Sequence, residues 1–140
     1  MLIDSHTHID LPIFDDDRDQ VLARAREQGV RTIINIGLDL ESSRASLKLA
    51  QHYPDIFTAV GFHPNRASKM MEGDLSLLAK LAKDFRVVAI GEIGLDFYRK
   101  SSPWQRQFDV FQQQLNLATE LGLPVVIHCR QTHNEVLGIL

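Results

Sequence analysis

Five short apolar runs, each separated from the next by a stretch with helical periodicity, limit what this chain can fold into. The runs are Leu2–Ile3, Thr32–Ile36, Phe57–Val60, Val87–Ile90 and Val125–Ile127. Runs that are apolar on both faces, with helices between them, imply a parallel sheet covered by helices. The strongest helical pattern runs from about Pro103 to Leu121. There Phe108, Phe111, Leu115, Ala118 and Leu121 form one stripe, Gly122 suits a stop and Pro124 cannot continue the helix. A second helix is predicted over Asp15–Gln28, burying Val21, Leu22 and Ala25 and ending at Gly29. Asp39 or Ser42 is expected to cap a third helix before Pro54, and Asp74 a fourth that runs through Lys83. Five strands suit either an open doubly wound sheet or the first five staves of a barrel. Periodicity alone does not choose. A doubly wound nucleotide fold would carry a Gly-rich turn after its first strand. This chain carries Ser5-His6-Thr7-His8 there instead.

Composition narrows the functional classes. With 140 residues, 44% of them hydrophobic, the chain suits one globular unit with a sizeable core. Its net charge of −3 gives no overall basic field for nucleic acid, so a polyanionic substrate needs metal ions or a local patch. Cys129 is the only cysteine, which excludes an internal disulfide and agrees with a reducing compartment. No apolar run reaches the roughly 18 residues that span a bilayer. Met1–Asp10 carries acids and histidines where a signal peptide needs basic and then apolar residues. A cytoplasmic protein is expected, with no membrane association and no obligate protein partner.

The ends of the apolar runs carry the chemistry. His6 and His8 follow the first run, and residues two apart on an extended chain point the same way, roughly 7 Å apart at Cα. Two such imidazoles can converge on one divalent ion, although HxH pairs also arise as surface histidines. Glu92 follows Val87–Gly91, and His128 follows Pro124–Ile127. In a parallel sheet the carboxyl ends of the strands share one rim, where active sites are built. A carboxylate there is costly unless a cation compensates it, so Glu92 is read as a metal ligand. The alternative is an ion pair with Arg130 or Arg99. His63, in Gly61-Phe62-His63-Pro64, stands on the same rim and can be a ligand, a proton donor or a phosphate contact; a substrate contact is preferred. Arg130, two residues after His128, offers a fork for an anionic oxygen or forms a rim salt bridge. Asp4 and Asp96 are candidates to orient metal-bound histidines through the second ring nitrogen. Phe97-Tyr98-Arg99-Lys100, with Trp104 and Arg106, mixes aromatic and basic groups that either stack bases or pack a loop. His52 and His133 lie in helical context, and Cys129 reads as a small buried residue.

Asp4-Ser5-His6-Thr7-His8-Ile9-Asp10, Gly61-Phe62-His63-Pro64, Gly91-Glu92-Ile93-Gly94-Leu95-Asp96 and Ile127-His128-Cys129-Arg130 resemble, in order, the motifs of the TatD-type metal-dependent deoxyribonucleases. That family lies within the amidohydrolase-like barrel superfamily. The resemblance implies an α/β fold of the (β/α)8 TIM-barrel type. Residues 1–140 would be a single N-terminal part of a metallohydrolase domain, the first five βα units of a truncated barrel. It implies a pair of divalent ions (Mg2+, Mn2+ or Zn2+), with His6 and His8 on the first, His128 on the second and Glu92 bridging both as the catalytic carboxylate. Phosphodiester hydrolysis of DNA or a nucleotide-containing substrate, 3′-to-5′, is the implied reaction, with His63 and Arg130 contacting substrate. Cleavage of a carboxyl ester or amide, such as an aminoacyl-tRNA ester, is the alternative, as is an inactive half-barrel. A full barrel needs roughly 250 residues. The resemblance therefore also implies a later histidine for the second metal and a late aspartate as general base, beyond Leu140.

Overall fold

A computed structural model describes residues 1–140. Strands β1 (Leu2–Thr7), β2 (Val30–Ile36), β3 (Ile56–Val60), β4 (Val87–Asp96) and β5 (Val125–Arg130) alternate with helices α1 (Arg18–Glu27), α2 (Leu40–His52), α3 (Asp74–Leu81), α4 (Trp104–Leu121) and α5 (His133–Ile139). Short 3-10 turns occupy Pro12–Phe14 and Pro64–Lys69. All strand pairs are parallel and the sheet order is β1-β2-β3-β4-β5. This sequential order settles the choice that periodicity leaves open. A doubly wound sheet reverses its order at a switch point, whereas repeated right-handed βα units laid side by side keep their helices on one face and curl into a barrel wall. The five strands form a half-barrel.

Two kinds of packing line the two faces. On the helical side, Val60, Phe62, Leu78, Ile90, Ile93, Leu95, Val110 and Phe111 belong to one buried cluster. Burying a side chain such as Phe111 contributes about 2–3 kcal/mol. On the concave side, Ile36, Ala59 and Ala89 form a smaller cluster with Ile34 and Val126.

Several element ends differ from expectation. β4 does not stop at Ile90; it continues to Asp96, so Glu92 lies within the strand, and β5 likewise carries His128 and Arg130 inside it. Polar residues at a strand's end hide its continuation, because the backbone ladder does not depend on side-chain polarity. Asp39 caps α2 in a reciprocal capping box with Ser42, which satisfies both expected candidates. Asp74 is the first residue of α3 rather than its cap, Gly73 holding that place. The α1 helix begins at Arg18, three residues after Asp15.

The inward face of α4 is also rotated from the apolar stripe. Gln107 and Gln114 are buried together with Val110, Phe111, Leu117 and Ala118, while Phe108, Leu115 and Leu121 stand at the margin. Both glutamines clamp backbone. Gln114 accepts from Phe62 N (2.7 Å) and donates to Phe62 O (3.1 Å). Gln107 accepts from Asp96 N (2.8 Å) and donates to Asp96 O (3.0 Å). The chain on either side of the rim is thereby fixed to α4.

Asn35, fully buried on β2, performs the same service for the segment after β1. Its Oδ1 accepts from Ile9 N (2.6 Å) and Thr7 Oγ1 (3.1 Å), and its Nδ2 donates to Asp10 (2.7 Å) and Ser46 (2.7 Å). Replacing Asn35 with Ala strands these buried partners, and each unmet group costs about 1–3 kcal/mol. Urea unfolding of Asn35→Ala is expected to show a loss of about 3 kcal/mol; a midpoint equal to the parent's would contradict this anchoring role.

Candidate metal centre

The carboxyl ends of β1, β3, β4 and β5 open on one cleft of about 460 Å3, lined by His6, His8, Leu38, His63, Asn65, Arg66, Glu92, Arg99, His128 and Arg130. His6, His8, His63, Glu92, His128 and Arg130, the residues read from the sequence as ligands or substrate contacts, all line it. Four of the six histidines of the sequence meet in this cleft. His52 sits at the end of α2 and His133 at the start of α5, outside its lining.

Glu92 is the centre of the arrangement and is only 7% exposed. The Gly91–Glu92 peptide is cis. Its Oε2 lies 3.3 Å from His6 Nε2 and 4.0 Å from His8 Nε2. Its Oε1 lies 2.9 Å from His128 Nδ1 and 3.9 Å from His63 Nε2. Candidate ligand atoms therefore fall into two groups, His6/His8/Glu92 and His63/Glu92/His128, each with all atoms within 4.8 Å of one another. The ion pair with Arg130 or Arg99 weighed above is not formed: the groups around this carboxylate are imidazoles. A buried carboxylate set among imidazole nitrogens is a donor set suited to divalent ions. His8 Nδ1 lies 2.9 Å from Ile36 O, so the neutral ring donates there and keeps the Nε2 lone pair for the cleft.

The electrostatics agree with that arrangement. Burial opposes the charge on Glu92, but the His128 hydrogen bond and the neighbouring imidazoles outweigh it, leaving the carboxyl below its ordinary value. Burial likewise opposes charge on His128, yet Glu92 and Asp96 raise its value overall. At His63 burial wins, helped by His128, and lowers the value to about 4. His63 is thus neutral near pH 7. Its Nδ1 accepts from Asn65 N (3.1 Å), so its proton resides on Nε2, 3.0 Å from His128 Nδ1.

Of the two carboxylates expected to orient histidines, one does so. Asp96 is fully buried and accepts from His128 Nε2 at 3.0 Å, with further donors from Asn65 Nδ2 (3.1 Å), Tyr98 N (3.0 Å) and Arg99 N (2.8 Å). Asp4 is exposed and accepts from the His6 backbone N–H at 3.2 Å rather than from a ring. The pairing of β1 with β2 is irregular between Asp4 and Thr7, which interrupts the regular alternation there, and the carbonyl of Ile36 orients His8.

Arg130 lies flat over Tyr98, its guanidinium carbon 3.9 Å from the ring centroid, and forms no rim salt bridge. The arginines paired with carboxylates are Arg18, Arg24 and Arg26 of α1. Arg66, Arg99 and Arg130 face the cleft without such partners. This is the local positive patch that the net charge of −3 conceals. The aromatic loop is divided in its use: Phe97 stacks on Trp104 at 4.2 Å and meets Phe108, whereas Tyr98 supports Arg130. Arg106 donates to the carbonyls of Ala67 and Met70 and braces the 3-10 turn. Cys129 is half-buried, with its sulfur 3.5 Å from Thr132 Oγ1. Residue patterns alone do not mark Gln107 or Gln114, and Asn65 and Arg66 carry a signal only in standing directly after His63-Pro64.

The sequence profile described as TatD related DNase matches residues 3–140. The chain belongs to the TatD-related DNase family. Among relatives, the uncharacterized metal-dependent hydrolase YabD of Bacillus subtilis is 37% identical over 140 residues, covering 100% of this chain and 55% of that protein. The 3′-5′ ssDNA/RNA exonuclease TatD of Cronobacter sakazakii is 42% identical over 127 residues, covering 91% of this chain and 48% of that one. The crystal structure of the TatD homolog YjjV from Escherichia coli superposes with a TM-score of 0.90 at 36% identity, covering 96% of this chain and 53% of that chain. The chain thus spans about half the length of the TatD relatives it matches. No helix is long and apolar enough to cross a membrane.

Proposed function

We propose that the protein is a divalent-metal-dependent hydrolase that cleaves phosphodiester bonds of DNA from the 3′ end with two metal ions. One observation carries this reading: a single buried carboxylate, Glu92, turns one oxygen toward the pair His6/His8 and the other toward His128 and His63. His6, His8 and Glu92 would hold one ion, and Glu92 with His128 the other; Mg2+, Mn2+ and Zn2+ all suit such donors. Bound there, two ions activate water near neutral pH and offset charge on phosphate oxygens.

The chain's own residues account for the rest. His63, neutral with its proton on Nε2, is a hydrogen-bond donor rather than a ligand, in keeping with a contact to a phosphate or leaving oxygen. Arg130, supported by Tyr98, presents its fork to an anionic oxygen. Arg66 and Arg99 extend the positive rim, which favours a polyanion over a neutral ester. The name 3′-5′ ssDNA/RNA exonuclease borne by TatD relatives points to the same substrate class. A lone cysteine fits a cytoplasmic setting.

The test compares a 5′-labelled single-stranded oligonucleotide with an acyl ester as substrates of the complete protein, with Mg2+, Mn2+ or Zn2+ added. The expected result is stepwise shortening of the oligonucleotide from its 3′ end, abolished by a chelator. Ester cleavage with an intact oligonucleotide would overturn the proposal.

A further inference from the structure

Asn65 touches both imidazoles on the Oε1 side of Glu92, one directly and one through a single residue. Its backbone N–H reaches His63 Nδ1 at 3.1 Å, and its side-chain Nδ2 reaches Asp96 Oδ2 at 3.1 Å. The same Asp96 oxygen accepts from His128 Nε2 at 3.0 Å. Chemistry dictates how the Asn65 amide is turned. Asp96 is a buried carboxylate that accepts from each of its neighbours, so only the NH2 end of the amide can face it. That orientation leaves Asn65 Oδ1 buried with no partner. Unpartnered buried polar atoms are rare, and an aliphatic side chain of similar size would avoid the defect altogether. A position filled only for packing would not carry it.

We infer that Asn65 is a positioning residue of the metal centre. Through Asp96 it holds the His128 ring in the orientation that turns Nδ1 toward Glu92 Oε1. Its backbone N–H holds the His63 ring by Nδ1 and leaves Nε2 facing the same side of the cleft. The inference rests on the two-metal reading only in naming the second position as the one affected. Partners that orient a metal-bound histidine typically change affinity by about 10- to 100-fold when removed.

The experiment is calorimetric titration of the full-length protein and of Asn65→Leu with Zn2+ alone, together with thermal unfolding of the metal-free forms. The parent is expected to take two Zn2+. In Asn65→Leu one affinity should fall about tenfold and the other stay unchanged, with the metal-free midpoint equal to the parent's or higher. A purely structural role would lower the midpoint and weaken both sites together, and that result would overturn the inference, as would unchanged affinities. A single Zn2+ whose affinity falls would uphold the role of Asn65 while removing the two-metal reading.

Discussion

In the complete protein, Glu92→Gln should lower the proposed hydrolytic turnover by about 10^3-fold or more while leaving the fold intact. The substitution preserves volume and removes the one charge that both halves of the cleft share. A Gln amide has a single acceptor oxygen and a terminal NH2 that cannot ligate. Whichever way it turns, one imidazole group loses its oxygen donor and neither retains a carboxylate. A loss of about 10^3-fold corresponds to about 4 kcal/mol of transition-state stabilisation, a reasonable share for metal clamping of a phosphate. Steady-state rates at saturating Mn2+ or Zn2+ measure it, and a rate within a few-fold of the parent's would take Glu92 out of the mechanism.

The metal-free protein gives a second readout of the same substitution. Glu92 faces His6, His8, His63 and His128, and His128 also faces Asp96. The lowered Glu92 value contributes stability above the unfolded carboxyl value, about 4.3, and that contribution is lost as pH falls through the folded value. The raised His128 value contributes stability below the unfolded imidazole value, about 6.5, and that contribution is lost as pH rises through the folded value. The deficit of Glu92→Gln in metal-free unfolding should therefore be greatest between about pH 4.3 and 6.5 and shrink on either side.

Gly94→Ala should cost more than 3 kcal/mol or prevent folding, on strain and overlap combined. Gly94 pairs with His128 across β4 and β5 and has φ +142°, a backbone state that side chains rarely adopt. A Cβ there would overlap the His128 carbonyl oxygen, and the atoms it meets are backbone rather than a flexible side chain. Relief requires β5 to move away from β4, which carries His128 with it. Gly29 makes the comparison. It also has positive φ, +90°, but nothing lies within 4 Å of its Cβ, so Gly29→Ala should cost only about 1–2 kcal/mol of strain. Denaturant midpoints for the two variants separate overlap from conformational strain. Equal midpoints would mean that the close approach at Gly94 does not govern packing of the two strands.

How far the site could be read from residues alone depended on the kind of contact. His6, His8, Glu92, His63, His128 and Arg130 were legible because each stands at or near the end of an apolar run, and parallel strands bring those ends to one rim. Asp96 was legible for the same reason. Asp4 is not oriented as its two-residue spacing from His6 suggests because the register of β1 is irregular between Asp4 and Thr7, a feature that spacing alone does not reveal. Asn35, Gln107 and Gln114 were not recoverable. Each is a polar residue in an otherwise ordinary helix or strand, and its importance lies in backbone atoms up to 52 residues away that it clamps.

By itself the sequence determined the alternation of strands and helices, the parallel arrangement and the set of candidate metal-ligating side chains, because hydrophobic period and residue chemistry are local properties of a chain. Tertiary structure alone decided that the strands run in sequential order and that Glu92 turns one oxygen to each imidazole group. It also decided that Arg66, Arg99 and Arg130 gather without acidic partners. The physical reason is that strand order, side-chain direction and charge clustering depend on distances between residues far apart in the chain, and those distances exist only once the strands have paired and the helices have packed against one face of the sheet.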